Sequence, residues 1–129
     1  NAATLLSDNH PDGTAHGSSA VLIREKIKHH MMLPYAKDYL QATTISLNLE
    51  HQNVCLSAVY CPPRHNIKST DFNSFFSTLG HRFIVEGDFN SKHTTWGSRL
   101  ITPKGKQLLQ VIIDNKYDFQ STGKPTYWP

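Results

Sequence analysis

Asp88 and Asn90 stand where a short apolar run, Phe83-Ile84-Val85, breaks into Glu86-Gly87-Asp88-Phe89-Asn90-Ser91-Lys92-His93, and no other residues in the chain are better suited to chemistry. A carboxylate can orient or deprotonate water, or hold a divalent cation. An amide two residues on can donate to an anionic oxygen without adding negative charge. The pairing suits a phosphate substrate. Gly87-Asp88-Phe89-Asn90 is also good turn chemistry, because Asp and Asn satisfy their own backbone and tolerate left-handed conformations. Residue types and spacing alone leave both readings open.

The elements around this loop must deliver it to an accessible edge. Phe83 to Val85, β-favouring and bounded by charge and glycine, predicts a buried strand that Gly87 ends. Ligands of open α/β sheets bind at the carboxyl ends of strands, which is where Asp88 falls. Upstream, Ala20-Val21-Leu22-Ile23 predicts a strand closed by Arg24, and residues 27–33 a second extended piece. Residues 41–49 alternate as a half-buried strand, Glu50-His51-Gln52-Asn53 reads as a hairpin loop, and residues 54–60 as a central, nearly continuous apolar strand. Pro62-Pro63 stops that strand, leaving Tyr60 at its carboxyl end. Ser69 or Thr70 can cap a helix in which Phe72, Phe75, Phe76 and Leu79 recur at core spacing, with Gly80 as its stop. Thr102-Pro103 starts a second helix with Leu108, Leu109, Ile112 and Ile113 as its buried stripe, and residues 117–121 read as a last strand. Residues 1–17 read as irregular. If the strands at 54–60 and 82–87 are parallel neighbours bridged by the first helix, Tyr60 and Asp88 arrive at the same sheet edge.

Composition narrows the class. With 129 residues, 38% hydrophobic and 18% charged, the chain can build one core, so it is one domain or part of one. A net charge of +3 and a pI near 8.9 permit a polyanionic partner without demanding one. No apolar run approaches the roughly 18 residues of a membrane span, and no basic-then-apolar leader is present, so a soluble, intracellular chain with no membrane partner is expected. The start at Asn1 rather than methionine suggests an excised fragment. Cys55 and Cys61, about 20 Å apart on one extended strand, are beyond the ~7 Å reach of a disulfide and should be free thiols. Eight histidines without a Cys-x-x-Cys do not predict a structural zinc site.

The run from Gly87 to His93, followed by Trp96-Gly97-Ser98, resembles the signature loop of the endonuclease domain of jockey-type non-LTR retrotransposons, within the endonuclease/exonuclease/phosphatase superfamily. The resemblance extends to residues 17–24, to Val59-Tyr60-Cys61-Pro62-Pro63 and to residues 96–105. It implies an α/β fold: a partial DNase I-like sandwich, a mixed β-sheet with covering helices, over residues 1–129, without the domain's N-terminal and C-terminal portions. It also implies catalytic roles for three residues. Asp88 would orient or deprotonate the attacking water, Asn90 would hold water and phosphate, and Tyr60 would hydrogen-bond the scissile phosphate. His93, Lys92, Trp96, Ser98 and Arg99 would contact DNA. Outside the resemblance, Tyr60 reads equally as a strand tyrosine and the loop residues as ordinary surface.

Four parts of the family's site have no match: an early-strand asparagine, the primary metal-binding glutamate, a later aspartate, and a Ser-Asp-His motif. The divalent metal, Mg2+ by resemblance, would then find Asp88 and Asn90 as possible ligands only. Glu86 departs from the small or apolar residue usual before Gly-Asp, either as an added ligand or as drift in a decaying copy. The implied activity is nicking of target DNA by metal-dependent phosphodiester hydrolysis to prime reverse transcription. The implied partners are DNA and, in the parent polyprotein, a reverse transcriptase domain, and the implied location is the nucleus. The alternatives are a catalytically dead DNA-binding remnant or another phosphodiesterase or phosphatase of the superfamily. This chain alone is expected to be inactive.

Overall fold

β5 (Leu40–Leu49) and β6 (Gln52–Tyr60) form the hairpin on which the rest of the sheet is built, in a computed structural model that describes residues 3–7, 19–121 and 123. The chain divides into two units: residues 1–65 with 77–89, and residues 66–76 with 90–129.

In the first unit, β1 (Ala3–Ser7) pairs antiparallel with β2 (Ala20–Arg24). Residues 3–7 were expected to be irregular; a partner strand more than a dozen residues on supplies the backbone bonds that local composition does not announce. The remainder of the stretch read as irregular lies outside the described residues. β3 (His29–Met31) and β4 (Tyr35–Lys37) both pair antiparallel with β5, β5 pairs antiparallel with β6, and β6 pairs parallel with β7 (Phe83–Asp88). The β5–β6 register runs from Leu49↔Gln52 to Gln41↔Tyr60, so the turn is only Glu50-His51, and Gln52 and Asn53, expected in the loop, are strand. The central place expected for residues 54–60 is realised in β6.

β5 is covered on both faces rather than one: Ala42, Thr43, Thr44, Ile45 and Ser46 are all buried. Its polar alternation misleads because the hydroxyls are partnered. Thr44 Oγ1 and Ser57 Oγ lie 2.8 Å apart. Thr43 N–H donates to Ser19 Oγ, which donates to Thr43 Oγ1, which donates to Ser19 O, each at 3.0 Å. A buried hydroxyl without a partner costs about 1–3 kcal/mol, so such closure lets threonine and serine replace aliphatics inside a sheet. β7 departs in the opposite sense. Read as buried, it has one strand partner among the described residues, and Ile84 is 61% exposed. Cys55 and Cys61 are buried, free thiols; Cys55 Sγ–H donates to Met32 Sδ at 3.5 Å, and burial pushes its thiol pKa up.

In the second unit, α1 (Ser69–Phe76) buries Phe72, Phe75 and Phe76, each contributing about 2–3 kcal/mol of apolar transfer. Neither Ser69 nor Thr70 caps it. The helix begins at Ser69, Asp71 Oδ2 accepts from Lys68 N–H at 2.9 Å, and Ser69 N–H donates to Gln107 Oε1 at 2.8 Å. Two of the orphan donors of a helix start are thereby satisfied. α2 (Pro103–Asn115) starts as its sequence predicts, Thr102 Oγ1 accepting from Gly105 N–H at 3.1 Å with Pro103 in the first turn. Its buried stripe is Lys104, Gly105, Leu108 and Val111, whereas Ile113 is 60% exposed and Leu109 and Ile112 are half-buried. Lys104, Leu108 and Val111 follow the i, i+4, i+7 spacing, which counting aliphatics in adjacent pairs misses. Residues 117–121 are not a strand. Lys116, left-handed at φ +56°, ends α2, and the following residues are held by rings: Tyr117 lies 5.3 Å from Phe76 and Phe119 lies 5.9 Å from Trp96, centroid to centroid.

Among the described residues no helix is long and apolar enough to cross a membrane.

Candidate active site

The parallel register of β6 on β7 runs from Cys55↔Phe83 to Tyr60↔Asp88, so the tyrosine and the aspartate are direct neighbours at the carboxyl ends of adjacent strands. Strands in a ladder lie about 4.8 Å apart, well within the span of a phosphate and its water. The ladder continues one bond further, Cys61 N–H donating to Asp88 O at 2.8 Å, which fixes the aspartate's main chain. Asp88 is exposed and Tyr60 half-buried.

Gly87 does not end the strand as expected; it lies inside it and makes the close approach possible. A Cβ placed there would sit 1.9 Å from Val59 O and 2.8 Å from Val59 C, and its φ of +149° is one that side chains disfavour. The glycine is thus required by the neighbouring strand, a tertiary reason for a residue that reads locally as punctuation. Glu86, paired with Ala58, is exposed, so the burial that would force it and Asp88 to share a cation is not present.

The other residues singled out in the sequence belong to the second unit. Asn90 has φ +46°, a left-handed conformation that asparagine tolerates better than most residues. Lys92 and Thr102 clasp the loop between them: Lys92 N–H donates to Thr102 Oγ1 at 3.1 Å and Thr102 N–H donates to Lys92 O at 2.9 Å. Gly105 seals the clasp, since a Cβ there would lie 1.9 Å from Lys92 O. His93 Nδ1 accepts from Thr95 N–H at 3.0 Å and caps the short 3-10 turn Thr94–Trp96. Trp96 Nε1–H donates to Ser91 O at 2.9 Å, its ring lies 5.4 Å from His93, and Ser121 Oγ donates to Trp96 O at 2.7 Å. Ser98 Oγ accepts from Leu100 N–H at 3.3 Å. Lys92 and Arg99 are exposed, while His93, Trp96 and Ser98 are half-buried inside the loop's own bonding. A shallow cleft is lined by Thr94, Thr95, Trp96, Phe119 and Ser121.

Sequence reasoning did not single out Thr102, Gly105, Phe119 or Ser121 as parts of this loop. Thr102 was legible as a helix cap, and the same hydroxyl does both jobs; the ring of Phe119 carried no signal at all. Among the described residues no three His, Cys, Asp or Glu side chains group to hold a metal ion.

Comparison with known proteins follows the same lines. The family model described as "Endonuclease-reverse transcriptase" matches residues 54–129. The RNA-directed DNA polymerase from mobile element jockey of Drosophila melanogaster is 37% identical over 93% of this chain, and its Drosophila funebris counterpart 36% over 92%. The probable RNA-directed DNA polymerase from transposon X-element of Drosophila melanogaster is 30% identical over 91%. The chain spans 13% of the length of each of these relatives. Among solved structures, the endonuclease domain of TRAS1, a telomere-specific non-LTR retrotransposon, superposes with a TM-score of 0.67 at 19% identity, covering 87% of this chain and 52% of that one. The fold is accordingly DNase I-like, a mixed sheet with helices, as the resemblance implied.

Proposed function

The chain belongs to the endonuclease-reverse transcriptase family, and from that premise we propose that it is part of a retrotransposon endonuclease domain that nicks target DNA to prime reverse transcription. The single observation that carries the reading is the Tyr60↔Asp88 register at the carboxyl ends of β6 and β7. It brings a carboxylate-bearing and a hydroxyl-bearing residue side by side where ligands of such sheets bind, which supports reading Asp88 as the base and Tyr60 as a phosphate contact.

In this reading Asp88 orients the attacking water and takes its proton as the oxygen approaches phosphorus. Tyr60 donates its hydroxyl hydrogen to a phosphate oxygen, and the Asn90 amide donates to another without adding negative charge. The P–O3′ bond breaks, and the leaving oxygen, once protonated, is the 3′ hydroxyl a polymerase extends. Lys92 and Arg99 meet flanking phosphates, and His93, Trp96 and Ser98 shape the loop that presents them. A divalent cation, Mg2+ in the first instance, would stabilise charge on the phosphoryl oxygens when bound. Asp88 and Asn90 offer only part of the ligands it needs, so no step here is routed through it. The parent polypeptide would carry a reverse transcriptase domain and work on chromosomal DNA in the nucleus; the names of the jockey and X-element relatives support the first of these.

The test is Asp88→Asn in the complete domain. Its amide retains size and hydrogen bonding but cannot take a proton, so single-turnover nicking of supercoiled plasmid should slow at least ~10²-fold while DNA affinity holds or rises slightly. Nicking at the parental rate would remove Asp88 from the mechanism. Hydrolysis of small phosphoesters without DNA nicking by the parental domain would instead favour a general phosphodiesterase.

A further inference from the structure

The loop between Lys92 and Thr102 leaves two aliphatic side chains in solvent where it returns to its base: Leu100 is 60% exposed and Ile101 44%. Solvated aliphatics on a slack loop would be unremarkable, but this loop is braced. The reciprocal Lys92–Thr102 bonds and the Gly105 contact close its base. The Trp96 indole, bonded to Ser91 O and flanked by His93 and Phe119, fills its interior. Ser98 Oγ fixes the turn that leads into Leu100. Such bracing lowers the ordering entropy that a loop would otherwise lose on binding.

Charge indicates what the aliphatics face. Residues 89–113 contain Lys92, Arg99, Lys104 and Lys106 and no carboxylate, although the chain as a whole has 10 acidic residues against 13 basic. Lys104 is buried; Lys92, Arg99 and Lys106 are exposed. Two aliphatics are far too small for a stable protein interface, which buries about 800 Å² per partner. They are the right size to enter a single base step, where apolar wedges unstack neighbouring pairs while adjacent cations hold the backbone. Along the chain, Lys92 is only four residues from Asp88, at most about 14 Å when fully extended.

We propose that Leu100 and Ile101 form a wedge that enters a base step of duplex DNA, with Lys92 and Arg99 on the flanking phosphates, so that the loop selects which phosphodiester is nicked. The proposal rests on the DNA-nicking reading above and adds to it a determinant of site choice. Steps that unstack at low cost would be preferred, pyrimidine–purine steps above all.

The test compares the complete parental domain with Leu100→Ser/Ile101→Ser and with Ile113→Ser, an exposed aliphatic on α2 outside the loop, as control. Nick positions on a supercoiled plasmid are mapped by primer extension, and 2-aminopurine at the favoured step of a short duplex reports unstacking on binding. The parental domain should show an uneven nick pattern and a rise in 2-aminopurine fluorescence. The double variant should flatten the pattern by about tenfold, the scale on which one base position is discriminated, and lose most of the rise. Ile113→Ser should keep both. Matching melting curves should show that folding is intact in both variants. A double variant with the parental pattern and fluorescence would overturn the wedge and leave the nicking reading standing, whereas a parental domain that neither binds nor nicks DNA would overturn both.

Discussion

Gly87→Ala tests the geometry on which the candidate site depends. The added methyl carbon would lie 1.9 Å from Val59 O and 2.8 Å from Val59 N, all backbone atoms that no rotamer change can move aside. Relief requires β7 to separate from β6 at its carboxyl end, where the Cys61 N–H to Asp88 O bond at 2.8 Å and the last ladder bonds are found. Losing two such bonds costs about 1–3 kcal/mol, and holding alanine at φ +149° adds about 1–3 kcal/mol of strain. The expected destabilisation is therefore about 2–6 kcal/mol, a large share of a typical domain's 5–15 kcal/mol, and on the order of 10 °C or more in Tm. Gly80→Ala is the control, with φ +76° but nothing within 4 Å of its new methyl, and should cost only about 1 kcal/mol. Urea unfolding of both variants, read by tryptophan fluorescence, gives the comparison, and nicking by the folded fraction of the complete domain carrying the same change reports Asp88's placement. A Gly87→Ala protein within about 1 kcal/mol of the parent would refute the argument that the Val59 backbone dictates this glycine.

Lys92→Ala should weaken DNA binding and reduce the slope of log K against log salt by about 0.9, the signature of one lost phosphate contact, which binding isotherms across a salt series would measure. Its main-chain clasp to Thr102 does not involve the removed side chain, so melting should be unchanged. Purified residues 1–129 should show no magnesium-dependent nicking of supercoiled plasmid; robust nicking would mean that these 129 residues suffice for catalysis. Cys55 and Cys61 should react with a thiol reagent in the native protein far more slowly than after unfolding, as both are buried. Because burial raises the Cys55 pKa in the folded state, the stability it preserves is full below the ordinary thiol value and is lost as pH climbs through the raised one. The alkaline fall in stability should thus shrink in Cys55→Ala, as a denaturation series at rising pH would show.

Much of the architecture was legible because it is written in local chemistry. Pro62-Pro63 terminates β6 by lacking donors, Thr102-Pro103 caps α2, and the aromatic spacing of α1 marks its buried face. The loop's resemblance named the family, and Tyr60 and Asp88 were expected at one sheet edge on the condition that their strands are parallel neighbours bridged by a helix, the pairing that β6 and β7 make. What tertiary structure alone decided involves partners distant in sequence. Thr43 and Thr44 are buried because Ser19 and Ser57 satisfy them; by themselves they read as the wet face of a strand. Ile84 is exposed because β7 has one strand neighbour among the described residues, although its own residues read as core. Gly87 and Gly105 look like a stop and a weak helix residue, yet each is required by a backbone oxygen, from Val59 and from Lys92, that approaches too closely for any Cβ. Local sequence specifies propensities and caps, which act over a few residues; which surfaces become covered, and by what, depends on contacts that exist only once the strands and loops have met.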